Sequence, residues 1–220
     1  PTDDGRIKPD IVADGDDVFS TDDDADDDYT NSPGTSMSTP AITGSIALLQ
    51  SYYHQLHSSY MKAATAKALV INTANEAGSD DGPDYEFGWG LMDSEAATEL
   101  ITKDNNLDDL ICENSLSNGE TEEYYFYADG SEDINVTICW TDPAGTPVAA
   151  AIDPNNAMLV NDLDLKIYDI SKTTYYPWSL DVNNPADAAT NVGENNVDNV
   201  ETVFIDNPAA GYYRVKIDHD

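Results

Sequence analysis

Residues 34–40 read Gly34-Thr35-Ser36-Met37-Ser38-Thr39-Pro40, and an amphipathic stretch follows at once. Thr39 suits an N-cap, and Pro40 suits the first helical position, where its missing N–H costs nothing. Ile42, Ile46, Leu49, Tyr53 and Leu56 then recur at spacings of four and three, which is one face of a helix. Ala41, Gly44, Ser45 and Ala47 are small, so the other faces admit close neighbours. The pattern predicts a buried central helix. Gly34 permits a backbone that a larger residue would strain. Ser36 then stands at a helix N-terminus, where N–H groups and the dipole favour negative charge.

Outward from this stretch, three segments differ in character. Residues 1–38 hold a short apolar strand, Ile7 to Val12, and a loop dense in Asp. Residues 39–103 read as helical, with a second helix from near Ser59 to about Thr73 and a third from Asp93 or Ser94. Residues 115–220 switch to a period of two. Strands are expected at Thr121 to Ala128, Ile134 to Trp140, Leu163 to Tyr168, Val200 to Ile205 and Tyr212 to Asp218. Asn118-Gly119, Asp129-Gly130, Pro143 to Gly145 and Pro208 to Gly211 supply the turns between them. The expected fold is an α/β segment followed by an all-β sandwich, with units at 1–105 and 106–220.

The serine turn resembles that of the subtilisin-like (subtilase, peptidase family S8) serine proteases. Their nucleophile sits in a Gly-Thr-Ser-Met-(Ala or Ser)-(Thr or Ser)-Pro turn that enters a buried helix. Asp4 to Ala13 looks like the strand before that turn, and Tyr85 to Asp93 like the aromatic-glycine turn before the last helix of the catalytic domain. Ala13-Asp14-Gly15 departs from the family's common Ala-Pro-Gly. The second half has its own resemblance. Leu159 to Leu165, Asp198-Asn199-Val200-Glu201 and the Asn207-Pro208 to Gly211-Tyr212 turn look like the jelly-roll domain of bacterial, oxidatively stable alkaline subtilases.

The resemblance implies an exported endopeptidase acting on protein or peptide substrates, with Ser36 as nucleophile and the turn Gly34, Thr35, Ser36 and Met37 around the oxyanion. It also implies a catalytic Asp, a His and an oxyanion Asn before the Ser, and none is recognisable here. His54, His57 and His219 lack the family's His-Gly-Thr context. A serine hydroxyl is a weak nucleophile without a base, so the chain is expected to be inactive alone and to need the preceding part of its catalytic domain as a partner. The rival readings are a structural or calcium-binding fragment and a pseudoprotease.

The formal net charge is −34, from 43 acidic and 9 basic side chains. Nucleic acid and anionic membrane surfaces are poor partners for such a chain. A hydrophobic fraction of 40% and 13 tyrosines still allow a packed core. The run Asp22, Asp23, Asp24, Asp26, Asp27 and Asp28 reads first as a solvated loop and second as a calcium site. Asn161, Asp162 and Asp164 are better calcium candidates, joined by Asp142, Asp198 or Asn199, since alternation puts both carboxylates of Asp162-Leu163-Asp164 on one strand face. Cys112 and Cys139 are expected to pair. Met37 is placed to carry an oxidation lesion beside the serine. Asn135-Val136-Thr137 matches a glycosylation sequon inside an expected strand. The last strand, Tyr212 to Asp218, is expected to need a partner strand from beyond Asp220 or from another chain.

Overall fold

The computed structural model describes residues 2–107, 110–152 and 154–219. A hairpin comes first, β1 (Val18–Thr21) and β2 (Tyr29–Ser32). Three helices follow: α1 (Thr35–His57), α2 (Ala63–Asn72) and α3 (Ser94–Leu107). Among the described residues six strands come next: β3 (Thr121–Ala128), β4 (Ile134–Cys139), β5 (Leu163–Tyr168), β6 (Thr174–Tyr175), β7 (Val200–Ile205) and β8 (Gly211–His219). The fold is mixed α/β with antiparallel sheets.

Leu49, Tyr53, Met61, Leu69, Val70, Ala97 and Ile101 form the helical core. Burial of each large aliphatic side chain contributes roughly 1.5–3 kcal/mol. The face predicted from the sequence is the face that packs, but it packs on one side only. Within α1, Leu49 and Tyr53 are buried, whereas Leu48 is 74% exposed. The expected buried central helix is therefore corrected. Its small residues leave a face open for close approach, and no described element covers it.

The helix also begins earlier than Thr39. Met37 donates its N–H to Gly34 O at 2.9 Å, so the first turn closes on Gly34. Pro40 is interior. Local hydroxyls cluster at this proline-containing turn: Thr39 Oγ1 donates to Thr35 O at 2.8 Å and Ser38 Oγ to the same carbonyl at 3.1 Å. The second helix starts at Ala63 rather than near Ser59; at the third start foreseen, Asp93 accepts Ala96 N–H at 2.9 Å and caps α3.

The strand expected at Ile7–Val12 is reduced to a single parallel bridge, Val12 to Leu91. Val12 N–H reaches Gly90 O at 2.9 Å, and Met92 N–H reaches Val12 O at 3.0 Å. With Trp89 N–H on Asp10 O at 3.1 Å, the aromatic-glycine turn thus binds this segment before it enters the serine loop.

Two antiparallel sheets make up the second half, with orders β3-β8-β5-β6 and β4-β7. They share one core, drawn from Ile134, Leu165, Ile167, Val203, Ile205, Tyr213 and Val215. β8 is central. Val215 pairs with Tyr124 on one side and Ile167 on the other. The expectation that β8 lacks a partner strand is overturned: both its edges are satisfied within the sheet.

The halves are joined by a third cluster in which Ile7, Ile71 and Trp89 meet Val200. Ile7 N–H donates to Asp198 Oδ1 at 2.8 Å. Asn135 Nδ2 donates to Asn72 O at 2.7 Å. This bond holds the exposed sequon asparagine against the end of α2.

Cys112 and Cys139 are not bridged. Cys112 is exposed and precedes Glu113, which accepts Lys62 N–H and Thr65 Oγ1 at the N-terminal end of α2. Cys139 packs by Ile71 in the last turn of that helix. α2 itself keeps the two apart. Burial pushes the Cys139 thiol up to about 11.

Candidate active site

The serine turn is assembled from two backbone segments. Gly34 has φ 142° and ψ 163°, a region open to glycine alone. Its N–H donates to Gly15 O at 2.7 Å. The loop Ala13-Asp14-Gly15 is thereby pinned under the turn. A Cβ on Gly15 would stand 2.7 Å from Gly34 O and 3.2 Å from Ser38 Cβ. The sequence singled out this loop only for Asp14 in place of the family's common Pro, and gave no signal of the close packing at Gly15.

Ser36 follows in the first turn of α1 and is exposed. The first N–H groups of a helix have no internal acceptor, and among the described residues the Ser36 N–H meets no backbone acceptor. An oxyanion forming beside Ser36 would find that donor and the positive end of a 23-residue helix. Thr35 and Met37 flank it, and Met37 Sδ lies in the same turn as Gly34.

The histidines stand elsewhere. His57 lies 21 residues along the helix from Ser36, roughly 30 Å away at about 1.5 Å per residue. It stacks on Tyr53 and places Nε2 3.5 Å from Asp104 Oδ2. Asp104 Oδ1 accepts the N–H groups of Leu110 and Ile111. That group fastens the exit of α3 to the end of α1. His54 stacks on Tyr60. His219 closes β8, with Nδ1 3.2 Å from Leu116 O. Among the described residues no side chain hydrogen-bonds Ser36 Oγ.

The acidic run forms the connection between β1 and β2. It gathers Asp22, Asp24 and Asp28, whose oxygens lie within 4.8 Å of one another. Phe19 and Tyr29 stack across the hairpin at 5.4 Å. These strands escaped the sequence reading because neither alternates polar with apolar residues; both are largely exposed.

The calcium candidates divide. Asp142 accepts Val160 N–H, Asn161 N–H and Asn161 Nδ2, so Asp142 and Asn161 brace a loop. Asp198 accepts Ile7 N–H and Asn195 Nδ2, and burial raises its pKa. Asn199 Nδ2 donates to Trp140 O at 2.7 Å. Asp162, Asp164 and Asp198 all act on a carboxylate that the sequence did not single out, Glu201. It is 0% exposed. Glu201 Oε2 accepts Leu165 N–H at 2.6 Å, and Oε1 has no hydrogen-bond partner. Burial first, then the charges of Asp164, Asp162 and Asp198, push the Glu201 carboxyl up to about 9. Its place in a strand gave no warning, because β7 is buried on both faces.

Residues 1–90 match the family model described as the subtilase family, Peptidase_S8. A Dictyostelium discoideum protein, "Serine protease/ABC transporter B family protein tagA", is 28% identical over 99% of this chain and 14% of its own length. The "C5a peptidase" of Streptococcus pyogenes is 32% identical over 53% of this chain and 11% of its own. The "Subtilisin-like protease SBT3.12" of Arabidopsis thaliana is 27% identical over 73% of this chain and 22% of its own. The chain thus spans less than a quarter of the length of these relatives. Together the matches support the subtilase family of serine proteases for this chain, through the segment that carries Ser36.

Proposed function

We propose that this chain is part of an exported subtilisin-like endopeptidase in which Ser36 attacks the scissile carbonyl of a protein or peptide. The observation that carries the reading is Ser36 in the first turn of α1, behind a Gly34 held in a glycine-only conformation. Ser36 Oγ forms the acyl bond as the amine departs, and water then releases the acid. The Ser36 N–H and the helix dipole stabilise the tetrahedral oxyanion. The base that takes the Ser36 proton, its Asp and a second oxyanion donor come from outside these 220 residues, in agreement with the remoteness of His54, His57 and His219. Alone, the chain is inactive.

The second half, residues 106–220, is read as a β-sandwich related to a jelly roll; its six strands around one shared core support the sandwich. Calcium is its proposed structural ion. Glu201 fits a cation, since its buried Oε1 has no hydrogen bond and a hard cation takes carboxylate oxygens. Asp162 and Asp164 would join it. Asp142 and Asp198 already serve protein N–H donors. Among the described residues no helix is long and apolar enough to cross a membrane. An extracellular site of action is part of the proposal, as is the expectation that neither nucleic acid nor membrane is a partner.

The test uses the longer polypeptide with an intact base. Ser36→Ala should abolish peptide hydrolysis and fluorophosphonate labelling while the circular dichroism spectrum is kept. The 220-residue chain should not be labelled. Strong labelling of that chain, or turnover surviving in Ser36→Ala, would refute the assignment.

A further inference from the structure

The outward face of the β3-β8-β5 sheet departs from the rest of this acidic surface. In β-strands alternate residues share a face. Tyr127 lies opposite Tyr212, and Tyr125 opposite Arg214, which is in turn opposite Tyr168 on β5. The next row is Glu123, Lys216 and Lys166. Tyr125, Tyr127 and Tyr212 are 67%, 59% and 64% exposed. Their partners on the inward face, Tyr124, Phe126 and Tyr213, pack in the core. The exposure of the outer rings is therefore not a want of core to enter.

The rings are held in place. Tyr127 and Tyr212 meet edge to face at 5.2 Å. The Arg214 guanidinium lies 4.4 Å from the centre of the Tyr168 ring. Arg214 Nη1 binds Glu123 Oε1 at 3.0 Å, and Tyr125 OH donates to Glu123 Oε2 at 2.6 Å. One connected group, Tyr168, Arg214, Glu123 and Tyr125, thus crosses three strands. Tyrosine has few rotatable bonds, so a fixed ring loses little entropy when a ligand stacks on it.

Charge selects the ligand. Three of the chain's nine cationic side chains stand on this face. Each is paired: Arg214 with Glu123, Lys216 with Asp218 and Lys166 with Glu194. The face is close to neutral on a chain of net charge −34. A polyanion would be repelled by the surroundings, and a polycation would be drawn to the acidic surface elsewhere. A second copy of the chain would bring its own large negative charge. A neutral polymer meets none of these penalties. It must offer apolar faces to the rings and hydroxyls to Arg214, Glu123 and the phenols. A chain of neutral sugars has both. Same-face residues along a strand are about 6.8 Å apart and adjacent strands about 4.8 Å apart, so a sugar chain crossing this face meets more than one ring. Exposed aromatic patches on a soluble chain mark such interaction surfaces.

We infer that the face built by Tyr125, Tyr127, Tyr212 and Tyr168 around Arg214 is a binding platform for neutral polysaccharide. It is independent of Ser36 and would hold the chain on a glycan-bearing surface.

The test is native affinity electrophoresis of the protein in gels containing soluble β-glucan, mannan or xylan, with polygalacturonate as the anionic control. At least one neutral polymer should retard the protein, and polygalacturonate should not. Tyr125→Ala/Tyr127→Ala/Tyr212→Ala should weaken the retardation at least tenfold, with an unchanged melting temperature. The corresponding triple Phe variant keeps the rings and should retain most of it. Absence of retardation by all three neutral polymers would overturn the proposal, as would retardation that survives the triple Ala change. Tyrosine-dependent dimerisation in sedimentation, without glycan binding, would overturn it in favour of a second copy of the chain.

Discussion

The backbone N–H of Gly34 donates to the carbonyl of Gly15 at 2.7 Å. This bond joins the end of an extended segment to the turn that presents Ser36. It explains why both positions are glycine: one for its φ, the other for the space that Gly34 O and Ser38 occupy.

Gly15→Ala should therefore damage catalysis more than folding. The added Cβ would press on Gly34 O at 2.7 Å, and the loop would yield by moving the turn. In the complete enzyme kcat/KM should fall at least tenfold, about 1.4 kcal/mol of transition-state stabilisation. The melting temperature should change by only a few degrees. An unchanged kcat/KM would show that Gly15 does not position the serine.

Glu201 predicts a pH dependence with a definite sign. Its folded pKa is raised from 4.5 to about 9, so the folded protein holds the proton more tightly than the unfolded chain. The resulting stability is fully present below about 4.5 and is lost as pH rises toward about 9, at about 1.4 kcal/mol per unit in that window. Glu201→Gln keeps an acceptor for Leu165 N–H and lacks the titration. In a chelator, melting temperatures of the two proteins should diverge from pH 5 to pH 9, with Gln the more stable at the alkaline end. Calcium should raise the melting temperature of the Glu protein and not that of the Gln variant. Parallel curves in the chelator would exclude the buried proton, and an equal calcium response of the two proteins would exclude the cation.

Asp198 should tie the halves together. Asp198→Ala would leave the buried Ile7 N–H without its 2.8 Å acceptor, at a cost of about 1–3 kcal/mol. Hydrogen exchange at Ile7 should quicken before that of the β8 amides. Equal protection of Ile7 in both proteins would show that another group takes the bond.

The cysteines should behave as separate thiols. Reductant should leave the melting temperature unchanged. Iodoacetamide should modify exposed Cys112 well before Cys139, whose thiol burial holds at about 11. A mobility shift on reduction, or a loss of stability, would reveal a bridge.

Much of this fold was legible in the chain itself. The period of two located Thr121–Ala128, Leu163–Tyr168 and Val200–Ile205 to the residue, because each strand is bounded by turn chemistry and most have one inward face. The Gly-Thr-Ser-Met-Ser-Thr-Pro run placed Ser36 at a helix start, because glycine at position 34 and the apolar spacing after it are local facts. The true start at Thr35 was missed. Thr39-Pro40 carries the ordinary signals of a helix beginning, yet Met37 and Ser38 already bond back to Gly34.

Sequence by itself determined the elements, the serine turn and the aptness of one helix face for burial, since each follows from neighbours along the chain. Only the tertiary structure decided which polar groups lose water. Glu201 and Tyr125 are both strand residues; Val200 and Thr202 flank the one, Tyr124 and Phe126 the other. β7 pairs with β4 and packs against β5, so its glutamate is sealed at 0% exposure; among the described residues nothing covers the outer face of β3, so its tyrosine stands in solvent. Burial is a property of what packs across, and residues distant in sequence supply it.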